Sequence, residues 1–121
     1  PYRSYSLQSS LYARYTARDG AAAADRYSAR PGYSEHQTGL ALDVIAPGGT
    51  LNGFKNTQQF VWMRDNAHRF GFILRYGDGM EYITGYKFEP WHYRYVGVEA
   101  ATFIYENGLT FEEYYAYYVK K

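Results

Sequence analysis

Two short stretches of the chain hold the residue types best suited to chemistry. The first is Ser34-Glu35-His36-Gln37-Thr38-Gly39-Leu40-Ala41-Leu42-Asp43, and the second is Glu89-Pro90-Trp91-His92-Tyr93-Arg94-Tyr95. They offer two imidazoles, one carboxylate seven residues after the first, and another three residues before the second. That set suits a catalytic zinc centre with three protein ligands, one open position and a base beside it. His36, Asp43 and His92 are the candidate ligands of Zn²⁺, and Glu89 is the candidate general base. In such a centre water becomes acidic enough to lose its proton near pH 7. Glu89 takes that proton and returns it to the leaving amine, while the scissile carbonyl is polarised. The reaction is metal-assisted hydrolysis.

Each candidate taken singly also fits an ordinary role: a loop histidine, a capping aspartate, a half-buried strand histidine. The weight comes from four suitable residues in two compact motifs. Regular strands would place 36 and 43 on opposite faces, and likewise 89 and 92, because side chains alternate. The step Gln37-Thr38-Gly39 must therefore supply a bend, with Gly39 permitting it. Pro90 must break the second segment and turn His92 back toward Glu89. His68, beside Arg69 and with only Asp65 at helical spacing, reads as a solvated residue outside the site.

The elements that must position these groups follow from pattern. Ser4 is a cap for a first helix with Leu7, Leu11 and Tyr15 on one face. Asp19 is a cap for a short helix over Ala21 to Ala24, and Arg30-Pro31-Gly32 is a turn. Leu40 to Ile45 alternates as a strand. Residues 57–70 form the best helix, with Phe60, Met63, Ala67 and Phe70 inward and Gly71 as its stop. Phe72 to Tyr76 is a strand, Gly77-Asp78-Gly79 a turn, and Glu81 to Gly85 and His92 to Gly97 are further strands. Glu99 to Tyr105 is helical. Thr110-Phe111-Glu112-Glu113 is a capping box for a final helix ending near Val119. The order predicts an α+β fold, a small antiparallel sheet flanked by helices.

Composition bounds the rest. The 121 residues suffice for one domain. With no cysteine, disulfides and thiolate zinc sites are excluded, so any metal is held by His, Asp or Glu. The net charge of +1 carries no basic run, which argues against nucleic acid as a partner. No stretch reaches the roughly 20 apolar residues of a membrane helix. The 16 tyrosines suit core, groove and wet rim alike. The opening Pro1-Tyr2-Arg3-Ser4 reads as the interior of a domain, so the expectation is one catalytic domain over 1–121 that lacks its N-terminal portion.

The motifs resemble those of the VanY-type D-alanyl-D-alanine carboxypeptidases and their L,D-carboxypeptidase relatives, zinc peptidases of a group that also holds lysostaphin-type enzymes and the hedgehog domain. The pattern S-x-H-x-x-G-x-A-x-D is matched by Ser34, His36, Gly39, Ala41 and Asp43, and E-x-W-H by Glu89, Trp91 and His92. Tyr2-Arg3-Ser4 with Gln8 is similar to the family's Y-R-S-x-x-x-Q. The resemblance implies a hedgehog/D-Ala-D-Ala-peptidase-like fold. It also implies that Arg3 grips the free C-terminal carboxylate of a peptide, that Ser34 and Gln8 hydrogen-bond substrate near the metal, and that Trp91 braces His92 or walls the pocket. The implied partners are peptidoglycan stem peptides, met by a monomer outside the cytoplasm at the bacterial envelope. The implied reaction removes a terminal D-alanine, D,D- or L,D-specific. Two alternatives stand beside it: an endopeptidase, and a peptidoglycan-binding or sensing domain whose zinc is only structural.

Overall fold

The computed structural model describes residues 1–119. The chain begins with α1 (Tyr5–Asp19), whose N-terminus is closed by Ser4: its hydroxyl oxygen accepts the Leu7 N–H at 3.1 Å. Its inward face differs from the expected one. Leu7 is half exposed, and the buried residue is Gln8, with Leu11, Tyr12 and Tyr15 partly covered beside it. A polar residue occupies the centre of that face because the helix covers a polar cavity, not a greasy core.

The short α2 (Ala21–Ala24) is preceded by Gly20 and has no side-chain cap. Asp19 does not cap it. Its carboxylate accepts from Arg18 and from the Tyr27 hydroxyl instead. A single turn of 3-10 helix over Glu35–Thr38 leads into β1 (Ala41–Asp43). Another over Asn52–Asn56 leads into α3 (Gln58–Asn66), and Thr57 caps α3 by accepting the Phe60 N–H at 3.1 Å. The helix tightens to 3-10 geometry over Ala67–Phe70. This last turn rotates Phe70 outward to 56% exposure, against the expectation that it faces the core. It also turns His68 onto Tyr105, the two rings stacked at 4.0 Å. His68 is thus a packed residue, not a solvated one.

The strands are shorter than their patterns: β2 is Phe72–Leu74 and β3 is His92–Tyr95. Between them the segment expected as a strand over Glu81 to Gly85 is the helical turn α4 (Glu81–Thr84). Local bonds and one ion pair distant in sequence decide the outcome. The Met80 carbonyl accepts the N–H groups of Ile83 and Thr84, Gly85 closes the turn at φ +83, and Glu81 forks onto Arg26 at 2.7 and 2.8 Å. Two helices complete the chain: α5 (Val98–Asn107), stopped by Gly108, and α6 (Phe111–Tyr114), continued by a π-helical turn over Tyr115–Val119. The capping box at Thr110 forms as expected, with reciprocal bonds of 3.1 and 2.9 Å to Glu113.

The sheet is antiparallel with order β1-β3-β2, so β3 is central. Leu42 pairs with Tyr93, and Tyr93 with Leu74. Their side chains share the face that packs on Phe54, Phe60 and Met63. The opposite face is divided. Around Ile73 it is apolar and lies under Ala101 and Ile104 of α5. Around Asp43, His92 and Arg94 it is polar and carries the site. No helix among the described residues is long and apolar enough to cross a membrane.

Gly71 joins α3 to the sheet at φ +89, and its carbonyl accepts from both Val96 and Gly97. A Cβ there would lie 2.6 Å from the Tyr95 ring. Backbone strain and clash together predict that Gly71→Ala destabilises the fold by about 2 kcal/mol or more, read from the urea midpoint at constant m-value.

Candidate metal centre

His36 lies in the Glu35–Thr38 turn, which Ser34 opens by accepting the His36 N–H at 3.3 Å. Gly39 ends the turn at φ +77. This is the bend that the motif required, and it brings His36 Nε2 to 3.2 Å from Asp43 Oδ1. The β1–β3 register sets Asp43 directly opposite His92. Cross-strand partners project from one face with Cβ atoms about 4.5–5.5 Å apart, and His92 Nδ1 lies 3.5 Å from the same Asp43 Oδ1. Pro90 and Trp91 form a turn in which the His92 N–H reaches the Glu89 carbonyl at 3.3 Å. That turn folds Glu89 back until its carboxylate is 3.7 Å from His92 Nδ1.

Each imidazole is fixed by an acceptor on its other nitrogen. The Pro1 carbonyl, which can only accept, lies 2.9 Å from His36 Nδ1. Glu35 Oε1 lies 3.1 Å from His92 Nε2. Both bonds therefore place the proton on the outer nitrogen and leave a lone pair on the inner one. The two rings turn different atoms inward, Nε2 of His36 and Nδ1 of His92, and stand nearly perpendicular at 81°.

This arrangement fits a metal. Asp43 Oδ1 is buried and has no hydrogen-bond partner among the described residues, although two imidazole nitrogens flank it. Ligand atoms about 2.0–2.1 Å from a tetrahedral zinc are about 3.3 Å from one another. The observed spacings of 3.2 and 3.5 Å agree, and one atom from each of His36, Asp43 and His92 lies within 4.8 Å of the others. Burial works against ionising Asp43, but an inner N–H on His36 or His92, in place of the lone pair that a metal needs, holds it well below the usual carboxylate range. Burial pulls His92 down, and Asp43 and Glu35 more than offset it, so its proton affinity is raised.

Glu89 is buried without a cationic partner at bonding distance. Burial pushes its carboxyl up to about 7; His92 opposes the shift and Asp43 adds to it. A carboxyl poised near neutrality is suited to taking and giving protons.

The other sequence-derived residues surround the same cavity of about 360 Å³. Arg3 donates to Gln8 Oε1 at 2.8 Å and lies 3.5 Å from Asp43 Oδ2, its side chain a quarter exposed. Gln8 donates onward to the Ala29 carbonyl. Ser34 is buried as the cap of the histidine turn. Trp91 is partly exposed on the wall, and its carbonyl accepts the Val44 N–H at 2.9 Å.

Glu35, Arg75, Arg94 and Glu112 were not singled out from the sequence. Glu35 Oε2 accepts from Arg75 Nε and Arg94 Nη1, both at 2.8 Å. Arg75 also forks onto Glu112 with two bonds of 2.8 Å. Burial would raise the Glu35 carboxyl, but the His92 and Arg75 bonds draw it down to about 2. The sequence did hold a signal. Arg94 alternates in phase with His92, so a second charge had to share the site's face and needed a counter-charge.

The comparisons with known proteins agree with this architecture. The profile of the VanY family, described as D-alanyl-D-alanine carboxypeptidase, matches residues 1–98. A D-alanyl-D-alanine carboxypeptidase of Enterococcus faecalis is 50% identical over 100 residues, covering 83% of this chain and 36% of that protein. The LdcB LD-carboxypeptidase structure, solved for peptidoglycan recognition, superposes with a TM-score of 0.87 at 46% identity, over 95% of this chain and 55% of that one. VanYB in complex with D-alanine-D-alanine gives 0.84 at 43% identity, over 97% and 68%. A glutamate-to-alanine variant of VanY from a VanB-type resistance cassette, in complex with Zn(II), gives 0.79 at 45%, over 93% and 67%. Fold and neighbours together define a carboxypeptidase-type domain. The chain belongs to the VanY family of D-alanyl-D-alanine carboxypeptidases. It spans about a third to two-thirds of the length of the curated relatives it matches.

The raised Glu89 carboxyl has a consequence for stability. A group whose folded value of about 7 exceeds its ordinary 4.5 stabilises the fold below pH 4.5, and that contribution is lost as pH rises through 7. The gap corresponds to about 3 kcal/mol at most. In chelator-treated protein, Glu89→Gln should therefore unfold at higher urea than the parent at pH 8, with the advantage vanishing at pH 4.5. Identical midpoints at pH 8 would show that the buried carboxylate costs the fold nothing.

Proposed function

We propose that this chain, as one catalytic domain, is a zinc-dependent carboxypeptidase that removes the terminal D-alanine from peptidoglycan stem peptides outside the cytoplasm. The observation that carries the reading is the buried, unpartnered Asp43 Oδ1 between two inward-facing imidazole nitrogens, with Glu89 beside them. Support for the substrate comes from the family's description and from the neighbours solved for peptidoglycan recognition and with D-alanine-D-alanine.

His36, Asp43 and His92 would hold the zinc. When bound, it supplies Lewis acidity, which lowers the pKa of water and polarises the scissile carbonyl. Glu89 accepts a proton from the attacking water at its carboxylate and passes it to the amine nitrogen of the departing D-alanine. The proton ends on the product amine, and the hydroxyl on the new carboxyl terminus. Arg3 uses part of its guanidinium on Gln8, and its remaining N–H groups suit the substrate's terminal carboxylate. Gln8 keeps the fork in place through the Ala29 carbonyl. Ser34 fixes the turn that carries His36, and Trp91 walls the cavity next to His92.

Mass spectrometry of pentapeptide and tetrapeptide stem substrates tests the reading. Zinc-loaded protein should release a single D-alanine, and chelated protein none. Glu89→Ala should bind zinc as the parent does and lose hydrolysis at least about 100-fold, the usual contribution of a general base. A Glu89→Ala protein with full activity would remove Glu89 from the mechanism. Zinc uptake without hydrolysis by the parent would favour the binding-domain alternative. Arg3→Ala should raise KM and lower kcat/KM for peptides with a free carboxylate, while amidated peptides remain poor substrates of both proteins.

A further inference from the structure

The family profile ends at residue 98, yet a carboxylate beyond it is wired to the candidate metal centre. Glu112, in α6, takes both terminal nitrogens of Arg75 at 2.8 Å. Arg75, only 9% exposed, uses its remaining Nε–H on Glu35 Oε2 at 2.8 Å. Glu35 Oε1 in turn meets His92 Nε2 at 3.1 Å. Phe111, next to Glu112, covers the guanidiniums of Arg75 and Arg94 at 5.0 and 5.4 Å from its ring centre, and Tyr76 lies 4.8 Å beneath Arg75. The Arg75 guanidinium is therefore held in one plane, with each of its three nitrogens bonded to a carboxylate oxygen.

We propose that Glu35 is the positioning residue of His92, and that Arg75 and Glu112 extend this hold to α6, so that the C-terminal helix is part of the metal centre. The inference rests on the reading of His36, Asp43 and His92 as ligands. An ionised Glu35 is acceptor-only, so it keeps the proton on His92 Nε2 and the lone pair on Nδ1 facing Asp43. It also fixes the ring plane, because its second oxygen is pinned by Arg75 and Arg94 and cannot rotate with the imidazole. Glu112 makes that pin rigid. Without it, Arg75 would have one carboxylate for five donors, and its planar group would be free to shift around Nε.

The test is zinc affinity by competition with a chromophoric chelator, together with the visible spectrum of the cobalt-substituted protein. The proteins are the parent, Glu35→Gln, Glu112→Gln, Arg75→Lys, and Glu81→Gln as a control whose ion pair with Arg26 lies on the surface. Glu35→Gln should weaken zinc binding by roughly 10–100-fold, the usual effect of removing a ligand's supporting partner. Glu112→Gln and Arg75→Lys should weaken it several-fold and change the intensity of the cobalt bands. Glu81→Gln should match the parent. Glu112 is a third exposed, so its variant retains a folded reference even if Glu35→Gln does not fold. A merely structural network would lower the melting temperature of the metal-free variants and leave affinity and cobalt spectrum unchanged. That result for Glu112→Gln and Arg75→Lys, in a background where the parent binds one zinc, would overturn the inference and leave the function reading intact. A parent that takes up no zinc would overturn both.

Discussion

The pairing of Asp43 with His92 across β1 and β3 is the constraint on which the rest depends. A one-residue slip in that ladder would turn every side chain of β1 to the other face. Asp43 would point into the Phe54 and Phe60 core, and Leu42 would face the site. The register is held from the opposite face by Leu42, Tyr93 and Leu74, which fill that core. The apolar half of the sheet thus specifies the chemistry of the polar half. Three-residue strands are enough because β3 is paired on both sides.

Charge is managed by separation. Glu35, Arg75, Arg94 and Glu112 balance one another in an ion-pair cluster behind His92. In front of it, Glu89 faces the cavity with no arginine partner and Asp43 with only Arg3 at 3.5 Å, and their surroundings push them in opposite directions, one well below and one well above an ordinary carboxyl. Two acids on one cavity wall therefore have different protonation habits, which suits one to bind and the other to exchange protons.

Much of this was legible in the chain. The cap at Ser4, the capping box at Thr110 and the bend at Gly39 depend on local chemistry, and they formed where local chemistry put them. The ligand set was readable because residue type and spacing restrict what a metal site can be. What escaped reading depended on contacts distant in sequence. The Glu81 to Gly85 segment has strand-like residues, but its pairing with Arg26 and the Gly85 stop favoured a helical turn. Leu7 followed a helical apolar pattern, yet the helix turned Gln8 inward because Ser28 and Ala29 offered bonds there. Glu35 stood inside the most conspicuous motif, and its role appeared only once Arg75 and Arg94 were seen to converge on it.

The chain has no cysteine, and its site joins residues that lie far apart along it. A metal held by His36, Asp43 and His92 would close a loop of about fifty residues, which for a covalent cross-link is worth on the order of 4 kcal/mol in chain entropy. The loop contains α3 and β2 and carries Phe54, Phe60, Ala67, Phe72 and Leu74 of the apolar core under the sheet. Such an ion would be a removable staple as well as a reagent. The protein's resistance to unfolding and its capacity for hydrolysis would then rise and fall together with the metal supply of its surroundings.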